Sequence, residues 1–114
     1  MPIFKQGDVV RVPFPYTDKS TRQHRPALVI SQGGIGDEQA LLWVAMITSA
    51  ENRRWADDFE ITDLSEAGLP SPSVVRPAKI ATIEARHAEP LGQLAPAGMA
   101  RICGALASYI GVAS

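Results

Sequence analysis

A single cysteine, Cys103, stands in the whole chain, so no disulfide can staple the fold and no cysteine-rich zinc site can be built. Histidine is almost as scarce, with only His24 and His87. No stretch gathers carboxylates and histidines at ligand spacing, and Asp57 and Asp58 adjoin at a strand start where neighbours face opposite ways. Neither a metal nor another cofactor is therefore expected. Serine or cysteine hydrolase chemistry has no nucleophile elbow and no paired base. Long apolar runs are missing too: nothing approaches the ~20 residues of a membrane span. The first eight residues, MPIFKQGD, lack the basic start and apolar run of a secretory signal, which makes the cytoplasm the expected address. Finally, a net charge of −1 argues against capture of nucleic acid by bulk charge alone.

What is present is ordinary for a compact protein. Hydrophobic residues make up 46% and charged residues 20% of 114 positions, enough for one domain spanning 1–114 with a real core. The charges are unevenly spread. Lys5, Arg11, Lys19, Arg22 and Arg25 outnumber Asp8 and Asp18 in the first segment, whereas Asp57, Asp58, Glu60, Asp63 and Glu66 crowd the middle. A cationic face and an acidic face can therefore coexist on one small domain.

Along the chain, Gly7-Asp8 reads as a turn launching a strand over 9–14, with Val10, Val12 and Phe14 on one side. Pro13 and Pro15 cannot donate to a ladder, so this strand lies on an edge at its far end or stops pairing near Pro13. Residues 15–23 are polar and turn-forming, an exposed loop. The run Ala27-Leu28-Val29-Ile30, entered from His24-Arg25-Pro26, reads as a strand over 25–31 covered on both faces. An arginine at such a strand mouth is a candidate anion site. After the turn at Gly33, Gly34, Gly36 and Asp37, residues 40–48 run apolar, and β-branching at Ile47-Thr48 favours strand over helix. A charged loop over 50–57, a short strand over 58–62 and a turn or single helical turn over 64–72 follow. A strand over 73–83 contains Pro77, which marks a bend or bulge. A short strand over 91–94 precedes a helix over 96–110. Met99, Ile102, Cys103, Leu106, Ala107 and Ile110 form its apolar stripe, and its N-cap, Ala95, is a poor one. The composite is a mainly β protein, a small antiparallel barrel or curled sheet with a C-terminal helix.

Taken in order, Gly7-Asp8-Val9-Val10, Phe14-Pro15, Arg25-Pro26-Ala27-Leu28-Val29-Ile30-Ser31, Ile47-Thr48-Ser49 and Ser73-Val74-Val75-Arg76 resemble the MazF/PemK family of toxins from type II toxin-antitoxin systems. The resemblance covers nearly the whole chain. It implies an SH3-like barrel that forms a homodimer, cuts single-stranded mRNA at selected sequences without a metal, and is held in check by a cognate antitoxin. Carried over by position, it places the family's catalytic arginine on Arg25 and its phosphate-side threonine on Thr48, with Ser49 adjacent. Arg76 falls where some members carry another functional arginine. Those members have an acidic residue two positions later, where this chain has Ala78.

The chemistry asks for three things: a proton taken from the RNA 2′-OH, charge neutralised on the phosphate, and a proton given to the departing 5′ oxygen. Arginine meets the second with a planar fork that stays charged. Thr48 adds a hydroxyl donor. For the first, an arginine above ~12 in pKa is a poor base and His24, near ~6.5, is the better chemical choice. However, adjacent strand residues point to opposite faces, so His24 joins Arg25 only if the loop breaks the alternation. Base readout falls to two loops. One carries Thr17, Asp18, Arg22 and Gln23; the other carries Ser49, Arg53, Arg54 and Trp55, arginines and an aromatic ring suited to phosphates and stacked bases. Two rival readings keep the fold. Relatives of this barrel that poison DNA gyrase carry a tryptophan before a terminal Gly-Ile, whereas this chain ends Tyr109-Ile110-Gly111-Val112-Ala113-Ser114. The other rival is an inactive member that only binds a partner, a reading kept open by Ala78.

Overall fold

The computed structural model describes residues 3–13 and 24–112. Six strands form one antiparallel sheet: β1 (Asp8–Pro13), β2 (His24–Val29), β3 (Leu41–Ser49), β4 (Phe59–Glu60), β5 (Ser73–Glu84) and β6 (Glu89–Gln93), in the order β4-β5-β3-β2-β1-β6. The sheet curls into a half-barrel. Among the described residues there are two α-helices, α1 (Leu64–Ala67) and α2 (Pro96–Ile110).

β2 lies inside the sheet between β1 and β3, and Ala27, Leu28 and Val29 are fully buried. The covering differs on its two sides. Ala27 and Val29 join Phe4, Val10, Val12, Leu42, Val44, Met46, Ala81, Ile83, Ala85 and Ala88 in one core cluster. Leu28 joins the other, with Val9, Ala45, Ile47, Val75 and, from α2, Met99 and Ile102. An unbroken apolar run is what a strand covered on both faces requires. β1 pairs with β2 as far as Pro13 but with β6 only from Asp8 to Arg11, so the proline end lacks a neighbour on the β6 side, as a missing N–H allows.

The Gly-rich segment does connect a hairpin, β2 to β3, and holds a short 3-10 turn at Asp37–Gln39. The bulge lies at Pro77. β3 advances one residue, from Ala45 to Met46, while its β5 partners step from Ile80 to Arg76, which leaves Pro77, Ala78 and Lys79 as extra residues. The helix on 96–110 starts without a side-chain cap and buries Met99 and Ile102. Ile110, expected on the buried stripe, is instead 71% exposed, because the last turn of α2 runs past the sheet it packs on. The expected strand over 58–62 shrinks to the two residues of β4, since Asp63 caps α1 by accepting from the Glu66 amide at 3.0 Å.

Candidate functional site

Strand register assembles the site. Ala27 of β2 faces Met46 of β3, and the same register carried two residues onward sets Arg25 opposite Thr48. Both lie on the face of Ala27 and Met46, because strand side chains repeat every two residues. On the other flanks Val12 of β1 faces Arg25, and Val74 and Arg76 of β5 face Thr48 and Met46. Arg25 is half-buried and Thr48 is buried to 9% exposure. A guanidinium and a hydroxyl thus share the same end of one sheet face, beside the loop that follows β3.

That loop is tightly held. Ser49 Oγ accepts from the Glu51 amide at 3.2 Å, the Ser49 carbonyl accepts from the Asn52 amide at 3.1 Å, and the Ala50 amide donates to the Pro72 carbonyl at 3.0 Å. Asn52 Nδ2 returns to the strand and donates to Thr48 Oγ1 at 2.6 Å.

Arg76 forms the second anchor. Its Nε and Nη2 donate to the two carboxylate oxygens of Asp58 at 3.1 and 2.9 Å, and Nη2 also reaches the Arg53 carbonyl at 2.8 Å. The guanidinium lies 4.3 Å from the ring centroid of Trp55, in cation–π range. The Arg76 side chain is 9% exposed and that of Asp58 1%. Asp58 also accepts from the Trp55 amide at 2.9 Å. Burial pushes its carboxyl up, but Arg76, the Trp55 amide and the charge of Arg54 outweigh it and hold the carboxyl below the ordinary carboxylate range.

Arg76 therefore binds its own protein, through a carboxylate 18 residues upstream of it, and Ala78 is exposed in the bulge. Asp57 lies not at a strand start but in the turn before β4, with φ +67°, and accepts from the Tyr109 hydroxyl of α2 at 2.7 Å. That bond pushes the Tyr109 phenol up to about 12.

Arg53 and Arg54 are exposed, and Arg54 makes a 3.7 Å surface pair with Glu60. Trp55 is 44% exposed. These three residues lie in the loop that follows Thr48, while Ser49, exposed at the end of β3, alternates to the face opposite Thr48. His24 does not join Arg25 and Thr48. The β1–β2 ladder keeps one register from Leu28 through Arg25 to His24, so the alternation is unbroken and His24 points to the face opposite Arg25. His87 lies 3.6 Å from Glu84 on the far turn. Thr17, Asp18, Arg22 and Gln23 lie outside the described residues. Among the described residues no three metal-ligating side chains come together. The sequence does not single out Asn52 or Asp58: the partner of Asp58 lies 18 residues away, and Asn52, although its partner Thr48 is only four residues back, sits in a loop with no periodic signal to aim it. The only local signal was an arginine on a strand otherwise destined for burial.

Residues 5–110 match the family model of the PemK-like, MazF-like toxins of type II toxin-antitoxin systems. The chain belongs to this family. Solved structures share its fold. MazF from Deinococcus radiodurans superposes with a TM-score of 0.78 at 21% identity, covering 98% of this chain and 100% of that one. A MazE-MazF complex from the same organism gives 0.76 at 22%, covering 99% and 100%. An endoribonuclease in complex with its cognate antitoxin from a mycobacterial species gives 0.71 at 21%, covering 100% and 99%. No curated protein matches the chain closely enough in sequence to carry an argument. Among the described residues of this PemK/MazF-like toxin, no helix is long and apolar enough to cross a membrane.

Proposed function

We propose that this toxin is an endoribonuclease that cuts single-stranded mRNA through the RNA's own 2′-OH, leaving a 2′,3′-cyclic phosphate and a 5′-OH, with no metal in the reaction. The observation that supports the reading is the β2–β3 register: its last pair is Ala27 and Met46, so Arg25 and Thr48, two residues further along each strand, fall on that same sheet face, beside the loop that carries Arg53, Arg54 and Trp55. Arg25 donates to the non-bridging oxygens as the phosphate becomes pentacoordinate, and Thr48 adds a hydroxyl donor from the neighbouring strand. Both side chains stand on neighbouring strands of one sheet, so little reorganisation is needed as charge develops. Trp55, backed on one face by Arg76, offers its exposed area to a base, while Arg53 and Arg54 track the backbone. Stabilisation of the phosphate, rather than a His24 base, is the main source of rate, since His24 lies on the other face. The solved relatives that pair an endoribonuclease or MazF with an antitoxin support both the activity and an antitoxin partner. A homodimer is supported by Trp43 and Ile80, diagonal neighbours on β3 and β5 that are 48% and 45% exposed. The cytoplasm is where such an activity meets its substrate.

The test is incubation of purified protein with a long unstructured RNA in EDTA. Wild type should cut, Arg25→Ala should lose roughly 10²–10³-fold as expected for a transition-state donor, and His24→Ala should stay within about threefold, well short of the ~10²-fold minimum for a general base. Intact RNA with wild type, or equal cutting by Arg25→Ala, would refute the assignment.

A further inference from the structure

We propose that Asn52 is a positioning residue that aims the Thr48 hydroxyl at the scissile phosphate, an inference that rests on the nuclease reading above. A threonine hydroxyl carries one proton and two acceptor lone pairs, and it rotates toward whichever partner is strongest. Left alone at a strand end, Thr48 would turn its proton to any nearby carbonyl. Here Asn52 Nδ2 donates into Oγ1 at 2.6 Å. With a lone pair engaged by that donor, the hydroxyl proton is directed away from Asn52 and is left for an acceptor arriving over the sheet face. A buried Thr48 at 9% exposure has little room for other rotations.

The holding is effective because Asn52 is itself held. The tight turn bonded through Ser49 brings it back over the strand, its own amide is tied to the Ser49 carbonyl, and the next residue along, Arg53, is pinned through its carbonyl by Arg76. Arg76 in turn is fixed by the Asp58 carboxylate. The chain of contacts runs from a buried ion pair, through two residues of loop backbone, to the proton of a hydroxyl in the site. Asn52 touches neither phosphate nor base in this scheme; it acts through Thr48.

A double-mutant cycle in cleavage kinetics, on an RNA that wild type cuts, tests this. In the wild-type background Asn52→Ala should lower kcat about tenfold with KM within about twofold, because misaiming a reacting group weakens the transition state more than binding. In a Thr48→Val background the same substitution should change the rate by less than about twofold, since its only route of action is gone. Thermal melting of Asn52→Ala should match wild type, as the side chain is exposed. An equal loss in both backgrounds, a loss confined to KM, or wild-type kinetics for Asn52→Ala would each overturn the proposal. If Thr48→Val is as active as wild type, or wild type cuts no RNA, the nuclease reading fails and this inference with it. If Thr48→Val is impaired and Asn52→Ala is not, only this inference falls.

Discussion

Asp58 carries more consequence than any other single residue outside the proposed pair, Arg25 and Thr48. Removing one partner of a buried ion pair leaves the other charged and unsolvated, so Asp58→Ala should lower stability by about 3 kcal/mol, the low end of the ~3–5 range for such losses. Urea unfolding at neutral pH would measure it. The sign of the pH dependence follows from the lowered carboxyl. A group whose folded pKa is depressed contributes stability that is fully present above its unfolded value, 3.8, and is lost as pH falls through the folded value. Wild type should therefore lose stability on acidification below about pH 4 faster than Asp58→Asn does, and parallel curves would remove Asp58 from the account. Individual residues were also where the sequence was least informative. Arg76 was readable as a functional arginine by resemblance, yet its partners are 18, 21 and 23 residues away, and no local pattern encodes such distances.

The secondary-structure elements are legible in the sequence, because their signals are periodic and local. The buried run at Ala27–Ile30, the glycines before β3 and the proline-opened helix each declare themselves within a few residues. What escaped is how elements meet. α1 and β6 approach so closely that a Cβ on Gly92 would run into the Glu66 carbonyl oxygen and the Ala67 backbone, and one on Gly68 into the Leu91 carbonyl. Backbone cannot yield as a side-chain tip can. Gly92→Ala should therefore lower stability by about 1–3 kcal/mol, the usual penalty of overpacking, seen as a reduced melting temperature. RNA cutting by the remaining folded protein should be unchanged, since this contact is remote from Arg25. A melting temperature equal to wild type would show that α1 can move aside.

For the whole molecule, a net charge of −1 conceals a division of labour. Arg25 stands at the mouth of β2 and Arg53 and Arg54 in the loop after β3, with Arg54 partly offset by Glu60, while Asp63 and Glu66 sit at the start of α1. An antitoxin segment that is acidic or amphipathic should settle over Arg25 and exclude RNA by occupying the same charge. Titrating such a segment should suppress cleavage, its affinity should fall with added salt, and Arg25→Ala should weaken it. A complex in which Arg25 stays open and cutting persists would contradict this. The bulge in β5 has a further meaning for the architecture. Before it, the even-numbered Val74 and Arg76 share the face of Thr48 and Met46; after it, the odd-numbered Ala81 and Ile83 share the face of Val44 and Leu42. Three surplus residues act as a parity switch, letting one continuous strand serve the site with one set of positions and the core with the other. Evolution can lengthen or shorten this bulge by two residues and keep both halves in phase, whereas a single insertion or deletion would turn either the Arg76 anchor or the Ala81 and Ile83 core inside out.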